Sequence, residues 1–311
     1  MVSDEMVAPL LEELRPNAFA IAYRMLGSVS DAEDIVQEGL LRLHGAMQKD
    51  DAIASPRAYL ATVVTRLCID ELRSARVRRE MYVGDWLPEP IIGTSADDVA
   101  ARAELGDSLG MAFLILLEAL SPEQRAVLLL RDVFDYGYDE IARIIGKSEA
   151  ACRQLAVRAR ARVLERRPRF EVQPERRDVL VDRFFAAIEQ GELEALEAVL
   201  ADDVSLHGDG GGRAPALGQA LQGRRAVARM LLNWRRAALR SGGYEVRRTV
   251  VNGHPGALIA TAEGAVVAVW ALDVVDGRIA TVRSVVNPDK LAHIPHTTDF
   301  GEWLRRGNRV P

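Results

Sequence analysis

The chain has 311 residues, room for two or three domains that each bury a core, and its net charge of −5 argues against a surface that is basic throughout. Two cysteines, Cys68 and Cys152, exclude a disulfide framework and fit a reducing compartment. No apolar run reaches membrane-spanning length and the N-terminus lacks a basic-then-apolar leader, so the expected location is cytoplasmic with no membrane partner.

Up to about Glu80 the periodicity is helical, with a break at Gly27-Ser28. Ser30 and Glu33 predict a capping box for the helix that follows. That helix opens with DAEDIVQE, residues 31–38, and its acids suit either the helix macrodipole or a docking surface. Pro56 to Glu80 sets Arg57, Arg66, Arg73, Arg76, Arg78 and Arg79 against Asp70, Glu71 and Glu80, with a stripe of Tyr59, Leu60, Val63, Val64, Leu67 and Leu72. Arginines crowding a helix end suit contact with phosphates or a single strand; a solvated end that complements the dipole is the alternative. From Met81 to Ala101, Pro88, Pro90 and Gly93 forbid a continuous helix. Tyr82, Trp86, Leu87, Ile91 and Ile92 would be wasted in solvent there, so this linker is expected to lie on a protein surface.

Ser121 to Arg167 reads as short helices, a turn and a longer basic helix. Ile141, Ile144 and Ile145 mark one helix face, Gly146 breaks it, and Ser148 is placed to cap the next helix. There Cys152, Leu155, Ala156, Ala159 and Val163 form the expected buried stripe, opposite Glu149, Arg153, Gln154, Arg158, Arg160 and Arg162. Seven arginines against one acid lie between Arg153 and Arg169. A helix, a glycine turn and a second helix with long donors on its exposed N-terminal half is the geometry that enters a DNA major groove.

Those three stretches, AYRMLGSVSDAEDIVQEGLLRL, SPRAYLATVVTRLCIDELRSARVRRE and LSPEQRAVLLLRDVFDYGYDEIARIIGKSEAACRQL, together resemble bacterial extracytoplasmic-function (ECF) sigma factors. The resemblance implies a sigma-2 domain over 1–82, a linker over 83–105 and a sigma-4 helix-turn-helix domain over 106–168. It implies RNA polymerase core (β′ clamp and β flap) and promoter DNA as partners. The β′ clamp would meet Asp31, Glu33, Asp34, Val36, Gln37 and Glu38. Arg66, Arg73, Arg76, Arg78 and Arg79 would engage the −10 element, and Ser148, Glu149, Arg153, Gln154, Arg158 and Arg162 the −35 element.

Pro168 to Arg177 is a second boundary, after which amphipathic helices over 179–200 precede a short extended run at 204–207. A helix over 224–238 and four strands follow, at 244–252, 257–262, 266–275 and 278–286. Gly253-His-Pro-Gly and Asp276-Gly277 supply the predicted hairpin turns. The fold class is therefore two all-α units plus an α+β unit with helices on one face of a curved sheet. This second pattern, over 175–293, resembles the SnoaL-like or nuclear-transport-factor-2-like cone fold; residues 294–311 form a tail, with Trp303, that it leaves unassigned.

Three pieces, Trp86-Leu87-Pro88-Glu89-Pro90, Asp209-Gly210-Gly211-Gly212-Arg213 and Asn287-Pro288-Asp289-Lys290-Leu291, resemble the ECF subgroup with a fused SnoaL-like extension. In that subgroup the extension modulates the sigma factor in cis, without a dedicated anti-sigma factor, and these pieces are its expected interdomain contacts. Pro288 is expected to end a strand and leave Asp289 and Lys290 exposed. The cone pocket has Phe184, His207, Trp234, Trp270 and Arg283 as candidate lining, and a small ligand there stays open. His207 and Asp209 are the clustered acid–base candidates for an isomerase or hydrolase; the reading favoured here is no catalytic residue, no metal and no cofactor. The glycine loop lacks the Lys-Ser/Thr of a phosphate-binding P-loop.

Overall fold

The computed structural model describes residues 4–49, 53–80, 82–93, 110–164 and 174–307. The chain divides into two compact units, Met1–Glu80 with Phe113–Arg167, and Met81–Ala112 with Pro168–Pro311. The linker thus belongs with the C-terminal unit.

The first unit is helical. Helices α1 (Asp4–Leu26), α2 (Val29–Gln48) and α3 (Pro56–Glu80) bury Ile21, Met25, Val36, Leu43, Leu60 and Val64 between them. Gly27 ends α1 in the left-handed conformation, φ 68°. The α2 cap is Ser28, whose Oγ accepts from the Asp31 amide at 3.1 Å, and not Ser30 as expected. The chain is already extended at Ser28, directly after the glycine, so the new helix starts two residues earlier. Glu33, freed from a capping role, reaches Arg15 at 2.6 Å.

Helices α4 (Met111–Leu117), α5 (Pro122–Asp132), α6 (Tyr138–Ile145) and α7 (Glu149–Leu164) complete this unit. A Ser121–Gln124 capping box starts α5, Gly146 at φ 68° ends α6, and Ser148 caps α7 through the Ala151 amide at 3.2 Å. Val127, Leu130, Ile141, Ile144, Cys152 and Ala156 make the core of the helix-turn-helix. The two halves of this unit touch through Arg125, which is 3% exposed and donates to the Met25 carbonyl at 2.7 Å and to Glu118 at 2.8 Å. Burial pulls its guanidinium down to about 9, so it stays charged at neutral pH.

The second unit is α+β. Helices α8 (Pro174–Gln190) and α9 (Leu193–Val199) lead into β1 (Leu200–Asp209), β2 (Leu221–Gln222) and α10 (Arg224–Arg240). Strands β3 (Tyr244–Val251), β4 (His254–Thr261), β5 (Val266–Val275) and β6 (Arg278–Val285) form an antiparallel meander. The sheet order is β2-β1-β6-β5-β4-β3, with β1 parallel to β6. Phe184, Phe185, Leu196, Leu206, Leu231, Leu272 and Val282 fill the core between the helices and the sheet.

The first hairpin turn is tighter than expected. Asn252 and Gly253 take φ 52° and 78°, a two-residue turn, so β4 begins at His254 and includes Pro255 and Gly256. Asp276-Gly277 turns the second hairpin the same way, at φ 49° and 70°. Pro288–Leu291 is not a bare strand end but a one-turn helix, α11, and the tail folds into α12 (Phe300–Gly307). Among the described residues no helix is long and apolar enough to cross a membrane.

Candidate nucleic-acid surfaces and the linker site

The helical unit distributes the expected contact residues unevenly. On α2, Asp34, Gln37 and Glu38 are exposed, whereas Val36 is fully buried in the helix core and cannot itself meet a partner. Asp31 and Glu33 are half-buried, and Glu38 pairs with Arg42 at 2.7 Å.

On α3, Arg66 is already engaged. Its Nε donates to the Ile144 carbonyl at 2.8 Å and Nη2 to the Arg143 carbonyl at 3.0 Å. These are the last-turn carbonyls of α6, the negative end of that helix, left without helical partners because Gly146 turns the chain away. Arg73 bridges Asp70 at 3.1 Å and Glu123 at 2.7 Å. The side chains of Arg76, Arg78 and Arg79 lie outside the described residues.

On α7 the exposed face carries Glu149, Arg153, Gln154 and Arg158, as the periodicity requires. Glu149 pairs with Arg153 at 2.8 Å, and the Arg153 guanidinium lies 5.2 Å from the Tyr138 ring centroid. Arg162 donates to the Ala119 carbonyl at 2.8 Å, and Arg160 is held by Asp132. The N-terminal half of α7 is thus the part that presents its long donors outward.

The C-terminal unit brings the three short motifs together around Asp209. This carboxylate, fully buried at the end of β1, accepts from the Tyr82 hydroxyl at 2.5 Å, the Leu87 amide at 2.8 Å and Lys290 Nζ at 2.6 Å. Lys290 also donates to the Leu87 carbonyl, and its ammonium sits 4.4 Å from the Trp86 ring centroid and 4.9 Å from that of Tyr82. The expectation of an exposed Lys290 is therefore corrected. The α11 turn, capped by Asn287 through the Asp289 amide at 3.1 Å, swings Lys290 inward while Asp289 stays outside to pair with Arg213 at 3.1 Å. Asn287 completes the cluster by donating to the Tyr82 hydroxyl at 2.9 Å. Burial, together with the Asp209 charge, pushes the Tyr82 phenol well above its ordinary range.

Around this cluster the linker lies flat on the unit, with Leu87 to Pro90 buried. Asp85 meets His207 Nδ1 at 2.9 Å, and His293 Nε2 meets the Pro90 carbonyl at 2.8 Å. Ile91 and Gly93 extend the sheet past its β3 edge, through Asn252 N to Ile91 O at 2.8 Å and Gly93 N to Val250 O at 2.9 Å. The glycine loop must be glycine where it passes closest. A Cβ at Gly210 would stand 2.1 Å from the Ala214 carbonyl oxygen, and one at Gly211, φ 58°, 2.2 Å from Asn287 Nδ2.

The cone cavity lies on the other face of the sheet. Trp234 and Trp270 line it as expected, with Gly208 and Ser284 from β1 and β6. His207 and Arg283, one residue away on each strand, point to the opposite face, where Arg283 pairs with Asp273, and Phe184 lies in the core. His207 and Asp209 therefore serve the linker and give the cavity no acid or base. Among the described residues no group of His, Cys, Asp or Glu is arranged to hold a metal ion. Tyr82, Asp85 and His293 complete the linker site; Tyr82 was marked only by its bulk, and Asp85 and His293 by nothing in their sequence neighbourhood.

Comparison with known proteins agrees with this architecture. Sigma-70 region 2 matches residues 10–78, Sigma-70 region 4 matches 111–163, and the SnoaL-like domain matches 181–286. The ECF RNA polymerase sigma factor SigJ of Mycobacterium tuberculosis is 38% identical over 91% of this chain and 93% of its own. A probable ECF sigma factor of the same organism, SigI, is 33% identical over 87% and 90%. The crystal structure of SigJ superposes with a TM-score of 0.74 at 34% identity, covering 93% of this chain and all of the other. Two helical sigma regions, a SnoaL-like α+β unit and identity along nearly the whole length place the chain in the family of ECF RNA polymerase sigma factors.

Proposed function

We propose that this sigma factor directs polymerase core to its promoters through the surfaces on α2, α3 and α7, and that its C-terminal domain controls it in cis by gripping the linker. The exposed acids of α2 would dock on the core, and the arginines of α3 would meet the −10 element. The outward donors of α7 would read the −35 element. Arg66 supports a switch within this scheme: the Nε–Nη2 edge of its guanidinium is committed to the Ile144 and Arg143 carbonyls, so a two-pronged grip on phosphate by that edge requires these bonds to be given up. Binding to promoter DNA would exchange the α6 carbonyls for phosphates.

The observation that carries the regulatory part is the buried Asp209–Lys290 pair closed over Tyr82, Trp86 and Leu87. The segment joining the two sigma regions is held by the chain's own domain, so regulation needs no separate anti-sigma protein. Run-off transcription with core polymerase tests this, comparing the full chain, a chain ending after Arg169, and Lys290→Met. Promoter-dependent transcript, shifted in the same direction by truncation and by the single substitution, is the expected result. Equal transcript from all three would overturn control through the linker, and no transcript from any would overturn the polymerase role.

A further inference from the structure

The tail past the SnoaL-like match explains a feature of the cone. Helix α12 turns Phe300 and Trp303 into the cavity, where they complete a wall of Trp234, Trp270, Leu231 and Ile188. Trp303 is only 3% exposed, and its ring lies 5.9 Å from that of Phe300. What remains empty is about 40 Å³. That is room for a water or two, whereas sites for small organic ligands run to roughly 300–1,000 Å³.

The chamber is built by other parts of the unit. Its walls come from α8, α10 and β1 with β3 to β6, all of which are joined without the tail. The tail is attached by few bonds: Val266 N to His296 O at 2.7 Å, Thr298 N to Val266 O at 2.9 Å, and Ser241 Oγ to the Leu304 carbonyl at 3.3 Å. Its outer face, Glu302 and Arg305, is exposed. Helix α12 is eight residues long and is held by side-chain packing, with Trp303 buried and Phe300 and Leu304 partly buried against the core. It is the kind of short peripheral element in which local opening is expected below the global free energy.

We propose that the cone is a binding chamber for a small, planar, uncharged aromatic molecule, and that Trp303 on α12 occupies it as a tethered stand-in for that ligand. The lining decides the class. Two indoles, Trp234 and Trp270, whose centroids are 6.2 Å apart, offer π faces to a flat ring. The polar groups at the wall are few, and Arg235 is committed to the Glu189 carbonyl at 2.8 Å, which disfavours an anion. A free ligand must compete with the tethered indole, so its apparent affinity is the intrinsic one multiplied by the fraction of molecules in which α12 is undocked. This inference holds whatever the sigma surfaces bind.

Indole is the probe, and the full-length chain is the sample. Trp303→Ala should be stabilised by indole, its midpoint rising by roughly 3–6 °C at a concentration ten times the dissociation constant, while the unsubstituted protein shifts by far less. No stabilisation of the variant, or an equal shift in both proteins, overturns the proposal. Should the variant not fold, amide exchange in the unsubstituted chain decides. The amides of α12 should exchange at least a hundred-fold faster than those of α10 and β5; exchange at the rate of α10 and β5 would make α12 a fixed part of the core and overturn the plug.

Discussion

One ion pair from each unit shows the same chemistry, a cation against a carboxylate, in opposite surroundings. In the helical unit Arg73 and Glu123 meet with side chains 58% and 22% exposed, and in the C-terminal unit Lys290 and Asp209 meet at 8% and 0%. An exposed pair is worth about 0–1 kcal/mol and is screened by salt. A buried pair adds little over a well-packed apolar one, yet losing one partner strands a charge. The Arg73–Glu123 contact is therefore one that water and salt can displace, while the linker contact behaves as a latch that is either whole or broken.

The largest effect should come from breaking the latch on one side. Lys290→Met leaves Asp209 buried with no cation, and should destabilise the C-terminal unit by about 3–5 kcal/mol in denaturant unfolding. The double change Lys290→Met with Asp209→Leu should recover much of that loss if stranded charge is the cause. Next comes Gly210→Ala, whose Cβ would press on the Ala214 carbonyl and force the loop to shift, at about 1–3 kcal/mol. Limited proteolysis of the linker would report the loosening directly.

Tyr82→Phe removes a hydroxyl that donates to Asp209 and accepts from Asn287, a loss of about 1.5–3 kcal/mol. It also carries a pH signature. The folded phenol is held above its ordinary value, so its contribution is complete below about pH 10, where an unfolded tyrosine starts to ionise, and declines as pH rises further. Unfolding from pH 9 to 11.5 should show a shallower alkaline decline in the Phe variant. The smallest change is Glu123→Gln, which should cost under about 1 kcal/mol and vanish at high salt. If it instead cost as much as Lys290→Met, the contrast between the two units would fail.

Much of this architecture was legible in the chain, for identifiable reasons. Period and punctuation located the helix-turn-helix because Gly146 and Ser148 act locally, through a left-handed turn and a side-chain cap. The meander followed from strands bounded by turn residues. What local rules could not supply was facing. His207 and Gly208 differ by one residue and face opposite ways, and only pairing with β6 decides which side meets the cavity. Lys290 looked like a surface lysine because its partner is 81 residues away in sequence. The cap at Ser28 was missed because two serines compete there and the glycine before them settles the start. The short motifs pointed to the linker site as a group, but the roles of Tyr82, Asp85 and His293 depend on contacts 122 to 205 residues apart in sequence.

The end of β1 makes the cavity and the linker neighbours across a wall one residue thick. Gly208 lines the cavity and Asp209 holds the linker; on the facing segment Val286 lines the cavity and Asn287 holds Tyr82. A change that spreads these two backbones from inside must turn the very peptides that carry the latch. Whatever fills the chamber and whatever the linker touches are then thermodynamically linked, each altering the other's affinity by the same factor.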